Sequence, residues 1–127
     1  MKKCLYLLTM FLSVIALPFS ASAEGWVYNL AEGTRWGTSS CTTSYKYINF
    51  EITPTKYGYA TAYLQKDTGG SWINVLPGED LYSWPQILSA PASSSSTKYR
   101  VYISVGLDGA VSGKVRCYGS NTLPTSK

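Results

Sequence analysis

The chain has 127 residues, no histidine, and a formal net charge of +4 from 11 Lys and Arg residues against seven Asp and Glu. The absence of histidine excludes Ser-His-Asp and Cys-His catalytic units and removes the usual general base at neutral pH. The charge excess is too small to indicate a protein that binds polyanions through net charge alone. A chain of this length is expected to form one compact domain.

The N-terminal segment has the layout of a cleavable secretory signal. Two lysines precede an apolar run over residues 5–17, and an Ala-Ser-Ala sequence ends at Ala23. We expect cleavage after Ala23, so that residues 24–127 form a single secreted β domain, extracellular or associated with a cell wall. The run is short for a membrane span, and no transmembrane segment would remain after cleavage. An uncleaved anchor is the alternative.

Beyond Ala23 the pattern predicts about seven short strands and no helix. Pro85 limits one strand to a sheet edge or to irregular extended structure. We expect an all-β fold, a small antiparallel β-sandwich, with a small β-barrel as the alternative and a flexible tail from about residue 119. The predicted strands cover residues 26–30, 45–53, 57–66, 71–76, 81–88, 98–105 and 111–118.

The last two predicted strands read as a β-hairpin. If residues 107–109 form a three-residue loop with Gly109 at positive φ, Val105 lies opposite Val111 and Val101 lies opposite Val115. This pairing buries the apolar face of both strands.

A turn at residues 54–56 predicts a second hairpin, in which Phe50 opposes Ala60 and Tyr47 opposes Tyr63. A further turn at residues 67–70 leads back into the strand at 71–76.

These pairings predict two outward faces with binding potential. On one, aromatic side chains form either an exposed patch or a layer covered by residues 81–88. On the other, the last hairpin exposes basic residues and places Arg100 opposite Arg116, which indicates either a solvated face or a surface that contacts anions. The aromatic face comprises Tyr47, Tyr59, Tyr63 and Trp72, and the basic face comprises Lys98, Arg100, Tyr102, Lys114 and Arg116.

Two cysteines, Cys41 and Cys117, remain after cleavage, and a structural disulfide is the expected state in an oxidising compartment. There is no CxxC motif, and two thiolates do not complete a zinc site. The carboxylates beyond Ala23 lie mostly in or beside turns, where they favour turn geometry. We therefore predict no metal site, no cofactor and no catalytic residue, with a calcium cage or a glycosidase pair as the alternatives.

Surface recognition is the function that these residues favour. The first hypothesis is a non-catalytic binding module for a cell-surface or extracellular polymer, either a glycan or an anionic wall polymer. The second is a bacteriocin-like or antifungal effector that acts on a target cell envelope. A structural role through self-association of the aromatic faces is a third. The extracellular destination disfavours nucleic acid, and the sequence does not specify an oligomeric state.

Overall fold

A computed structural model describes residues 25–125, which form nine strands and no helix. The strands are β1 (Trp26–Leu30), β2 (Arg35–Gly37), β3 (Tyr47–Lys56), β4 (Ala60–Asp67), β5 (Trp72–Asn74), β6 (Glu79–Asp80), β7 (Gln86–Pro91), β8 (Tyr99–Val105) and β9 (Val111–Ser120). The first sheet has the order β1-β9-β3-β7, and the second has the order β2-β8-β4-β5 with β6 also paired to β4. The expected all-β sandwich is confirmed. The expected signal at residues 1–23 lies outside the described residues.

Within the described part of the chain, no helix is long and apolar enough to cross a membrane. The last strand continues to Ser120, so regular structure extends into the segment that the sequence analysis assigns to a tail.

The core lies between the two sheets because the long strands alternate apolar and polar side chains. Apolar side chains of β8 point inward from the second sheet, and those of β9 point inward from the first. All of them are at most 3% exposed. These inward side chains are Tyr99, Val101, Ile103 and Val105 on β8 and Val111, Val115 and Cys117 on β9.

The predicted hairpin of the last two strands is wrong. β8 pairs with β2 and β4, whereas β9 pairs with β1 and β3. Val105 lies opposite Ala60 and not Val111, and the expected pairing of Val101 with Val115 is absent. Inward residues of two facing sheets point into the same core, so alternation is equally satisfied when consecutive strands lie in different sheets.

The connection between β8 and β9 also differs from the prediction. Asp108, not Gly109, has the positive φ, at 62°, a conformation that aspartate tolerates better than most residues. Glycine is needed at 109 because a Cβ there would lie 2.6 Å from the carbonyl oxygen of Tyr59 and 2.7 Å from its nitrogen. The connection therefore packs closely against the residue that precedes β4.

The predicted hairpin of β3 and β4 is wrong as well. β3 pairs with β7 and β9 in the first sheet, so Phe50 does not oppose Ala60 and Tyr47 does not oppose Tyr63. The segment at residues 57–59 crosses from one sheet to the other instead of reversing within one sheet.

Two local predictions are confirmed. β4 and β5 form a hairpin in which Asp67 pairs with Trp72, and Asp67 accepts a hydrogen bond from the backbone N–H of Gly69 at 2.9 Å. Pro85 directly precedes β7, which lies at an edge of the first sheet. Proline has no backbone N–H to donate to a neighbouring strand, so a position just before an edge strand suits it.

The expected disulfide between Cys41 and Cys117 is present, with a Cα–Cα distance of 6.7 Å. Cys41 forms a β-bridge with Tyr99 of β8, and Cys117 lies in β9. The bond therefore ties the second sheet to the first across the core.

Asn49 is a buried polar residue at the centre of the first sheet and has no exposed surface. Its Nδ2 donates to the carbonyl oxygen of Tyr118 at 3.2 Å and to Ser120 Oγ at 2.9 Å. Its Oδ1 accepts from Ser89 Oγ at 2.6 Å. Burial of an amide is costly unless its groups are hydrogen-bonded, and here one side chain links β3 to both of its neighbouring strands.

Candidate binding surface

The residues of the two predicted faces are redistributed over two different sheet surfaces. Four of them, two from each predicted face, come together on the outer surface of the second sheet. Three others lie on the outer surface of the first sheet. The second-sheet group is Tyr63, Trp72, Arg100 and Tyr102, and the first-sheet group is Tyr47, Lys114 and Arg116.

The two remaining residues flank strands of the second sheet. Tyr59 precedes β4 and is 72% exposed, and Lys98 precedes β8 and is also exposed.

Strand pairing explains why the second-sheet group forms. Arg100 of β8 lies directly opposite Gln65 of β4, and Tyr102 lies directly opposite Tyr63. These side chains share the outward face because directly opposed residues of an antiparallel pair point to the same side. We call this surface the Arg100 platform, which comprises Tyr63, Gln65, Trp72, Arg100 and Tyr102.

The guanidinium of Arg100 is held over two aromatic rings. Its Cζ lies 4.4 Å from the centroid of Trp72 and 5.3 Å from that of Tyr102. Arg100 Nε donates to Gln65 Oε1 at 2.8 Å, and Gln65 Nε2 donates to Asn74 Oδ1 at 3.0 Å. The two cation–π contacts and this chain of hydrogen bonds favour this position of the side chain.

Gly37 of β2 leaves room for this arrangement. A Cβ at this position would lie 3.0 Å from Arg100 Nη1 and 3.2 Å from its Cζ. The guanidinium therefore lies against β2, at the place where any other residue would project a side chain.

Arg116, on the first sheet, differs from Arg100 because it has a carboxylate partner. Its Nη2 lies 3.2 Å from Glu51 Oε1, the only salt bridge within residues 25–125. The predicted opposition of Arg100 and Arg116 is therefore wrong, because Arg116 pairs with Glu51 and Arg100 lies on the other sheet. Among the described residues, Arg100 has no carboxylate partner.

The surroundings of Arg116 also affect Tyr118, whose ring centroid lies 4.9 Å from Arg116 Cζ. Burial and the nearby Glu51 carboxylate raise the pKa of Tyr118, and the positive charge of Arg116 acts in the opposite direction. On this surface, the charge of Arg116 is thus paired with that of Glu51.

Residues 81–88 do not cover the Arg100 platform. Leu81 is buried in the core, and the segment then leads to β7 in the first sheet. The loop before β6 lies against the platform, since a Cβ at Gly78 would be 2.5 Å from Tyr63 Cε1. The platform side chains are half-buried and remain accessible from solvent.

Sequence reasoning did not find Gln65 or Gly37 as parts of this surface. Both depend on which strands are neighbours, and the alternation of polar and apolar residues does not carry that information. The alternation of side chains along each strand predicted that Arg100 and Trp72 point outward, but it did not predict that they lie beside each other.

Chemically, the Arg100 platform can donate hydrogen bonds to an anionic group and present aromatic surface beside it. Within residues 25–125, no group of three Asp, Glu or Cys side chains is arranged to hold a metal ion.

No protein-family model matches the chain, and the comparison with curated proteins found no significant relative. The class of protein that the fold defines is a small all-β sandwich with one disulfide.

Proposed function

We propose that the protein is a secreted, non-catalytic binding module whose Arg100 platform binds an acidic extracellular polymer, such as a polysaccharide with carboxylate groups. The observation that carries this proposal is an arginine that is fixed over two aromatic rings and has no carboxylate partner among the described residues. The predicted signal and the disulfide, which is typical of oxidising compartments, support secretion.

The hydrogen bonds of Arg100 support an anionic ligand. Only its Nε is hydrogen-bonded to another described residue, which leaves the two terminal nitrogens to donate to a ligand. Two parallel N–H donors match the two oxygens of a carboxylate or the oxygens of a sulfate or phosphate. Because the side chain is already ordered, binding costs less conformational entropy than it would with a mobile arginine.

The shape of the surface supports a polymer as the ligand. The platform spans β5, β4 and β8, which form a continuous pleated surface. The half-buried rings of Trp72, Tyr63 and Tyr102 flank the arginine and offer apolar area to sugar rings. An extended chain with alternating acidic and neutral units would place its charges and its apolar faces on such a surface.

The test compares Arg100→Gln with Arg116→Gln, which removes the same charge from the opposite sheet. Binding to a polyuronate is measured by calorimetry at several salt concentrations, with the carboxyl-reduced polymer as the ligand control. Hydrogen bonds to charged groups contribute about 1.5–3 kcal/mol. We therefore expect Arg100→Gln to weaken binding by about 10- to 150-fold and to flatten its salt dependence.

Arg116→Gln should bind the polyuronate like the parent protein, because the charge that it removes is already paired with Glu51. Equal losses in the two variants would show that only overall charge matters. Unchanged binding by Arg100→Gln, or equal affinity for the carboxyl-reduced polymer, would refute the proposed surface.

Gly37→Ala tests the position of the guanidinium without changing its charge. The added methyl group meets Arg100 Nη1 at 3.0 Å, which is closer than an ordinary van der Waals contact, so it displaces the guanidinium slightly from its position over the rings. We expect weaker polyuronate binding with an unchanged formal charge. Full affinity in this variant would contradict the importance of the fixed position.

A further inference from the structure

A cavity of about 270 Å³ opens at the end of the second sheet where β4 begins and β8 ends. Its wall combines aromatic, polar and small or apolar residues, and it contains no lysine or arginine. The lining side chains that matter here are Tyr57, Tyr59, Thr61, Asp80, Tyr82 and Ser104.

Exposed aromatic side chains are concentrated at this cavity. Of the five aromatic residues that are exposed among the described residues, only Tyr45 lies elsewhere. Three line the cavity, and Trp84, which is 52% exposed, stacks on Tyr82 with ring centroids 4.7 Å apart and planes 6° from parallel. Apolar patches of this kind are uncommon on a surface that has no interaction function.

The walls of the cavity are held in place by the fold. The side chain of Gln86 is hydrogen-bonded to the backbone on both sides of the buried Leu81. Its Nε2 donates to the carbonyl oxygen of Asp80 at 2.9 Å, and its Oε1 accepts from the N–H of Tyr82 at 2.8 Å. On the opposite wall, the N–H of Gly106 donates to the carbonyl oxygen of Tyr59 at 2.8 Å. Asp80 and Tyr82 therefore project from an anchored segment.

The chemistry of the lining indicates a sugar ring without a negative charge. Tyrosine rings can pack against the C–H face of a pyranose, while the Asp80 carboxylate and two hydroxyl side chains can hydrogen-bond its hydroxyl groups. Asp80 forms no salt bridge with another described residue, and its charge opposes an acidic sugar. The volume lies just below the usual range of small-molecule pockets, about 300–1,000 Å³, so one ring fits better than an oligosaccharide.

The cavity lies next to the Arg100 platform along β4 and β8. Thr61 and Ser104 pair with each other and lie next along the outward rows of β4 and β8, beyond Tyr63 and Tyr102. A polymer bound at Arg100 passes beside the loop at Gly78, which lies against Tyr63 and Thr61, before it reaches the cavity.

We infer that this cavity binds a single neutral or amino pyranose unit, adjacent to the acidic units held by the platform. The inference rests on the proposed function for the rest of the polymer, but the ring itself is bound by residues outside the platform.

The experiment titrates the full disulfide-bonded protein with the methyl glycosides of glucose, galactose, mannose, glucosamine and glucuronic acid, monitored by amide NMR shifts. We expect one neutral or amino glycoside to shift the amides of Gly58, Tyr82 and Gly106. Asp80→Asn should weaken this binding by about tenfold, the loss expected for hydrogen bonds to a charged group. Tyr59→Ala, which truncates an exposed ring, should weaken it as well.

Two controls separate this inference from the proposed function. Asp67→Asn removes the same charge at the far end of β4, and Trp72→Ala alters the platform; both should keep the monosaccharide affinity of the parent. If no neutral or amino glycoside shifts these amides, or if glucuronate binds best, the inference is overturned even where polyuronate binding depends on Arg100. If the glycosides bind in the cavity while Arg100→Gln leaves polymer binding unchanged, the proposed function fails and the cavity site stands.

Discussion

Reduction of the Cys41–Cys117 disulfide should remove a large part of the stability of the domain. The two cysteines are separated by 76 residues, and for a loop of this length the chain-entropy relation gives about 4.5 kcal/mol at 25 °C. Whole domains are stable by only about 5–15 kcal/mol. The reduced protein is therefore expected to be marginally folded.

Urea unfolding monitored by tryptophan fluorescence, with and without excess reductant, measures this difference. With a urea m-value of about 1.5 kcal/mol/M, the loss corresponds to a midpoint lower by about 3 M. Reduction is preferable to mutation as the first perturbation because it keeps both sulfur atoms in the core. A double Cys41→Ala and Cys117→Ala variant should reproduce the reduced protein to within about 1 kcal/mol, the scale of a small core truncation.

A loss of less than about 1 kcal/mol on reduction would refute this reasoning. Such a result would mean that the reduced, unfolded chain is already restricted, or that packing between the sheets compensates for the lost link.

Three further predictions concern single residues. Asn49→Ala leaves hydrogen-bond partners on both neighbouring strands unsatisfied and should lower the free energy of unfolding by about 2 kcal/mol, against less than about 0.5 kcal/mol for Ser40→Ala, at an exposed position, in the same urea assay. Burial raises the pKa of Tyr28 to about 12, above its ordinary value in the unfolded chain, so the folded state favours the neutral phenol and loses stability as the pH rises from about 10 to 12. Tyr28→Phe should lose less stability over this range, as measured by thermal unfolding at pH 7, 10 and 11. An identical dependence of stability on pH in the variant and the parent protein would contradict the assignment. Gly113→Ala places a Cβ 2.5 Å from the carbonyl oxygen of Thr53 on the neighbouring strand β3. The variant should lower the free energy of unfolding measured in urea by about 1–3 kcal/mol. Parent-like stability would show that β3 can move away from β9.

The sequence contains more information about burial than about strand pairing. Period-two alternation correctly marks Val101 and Val115 as buried and Arg100 as outward. It cannot distinguish a hairpin from a crossover between sheets, since both bury the same faces. The β4–β5 hairpin was predictable because its Asp-Thr-Gly-Gly turn consists of residues that favour a turn by themselves, including Gly69, which adopts a positive φ.

The candidate site shows the same limit. The sequence identifies Trp72, Arg100 and Tyr102 as outward residues, but their grouping depends on β4 lying between β5 and β8. Tyr82 and Trp84 were overlooked because Pro85 made their segment read as irregular structure. The spacing of two aromatic residues just before a proline was the available signal, and the buried Gln86 that orients this segment carries no sequence signature of its own.

The strand order has a consequence for how the molecule can be made. β1, the first strand of the chain, has β9 as its neighbour in the sheet, and β9 also lies beside β3. A ribosome or a translocation channel that delivers the chain from its N-terminus releases both strands long before the strand that joins them. β3 can pair with β7 earlier, but β1 can join the first sheet only after β9, the last strand, is released. Such long-range pairing favours slow folding, and the Cys41–Cys117 bond can form only after the part of β9 that carries Cys117 is released.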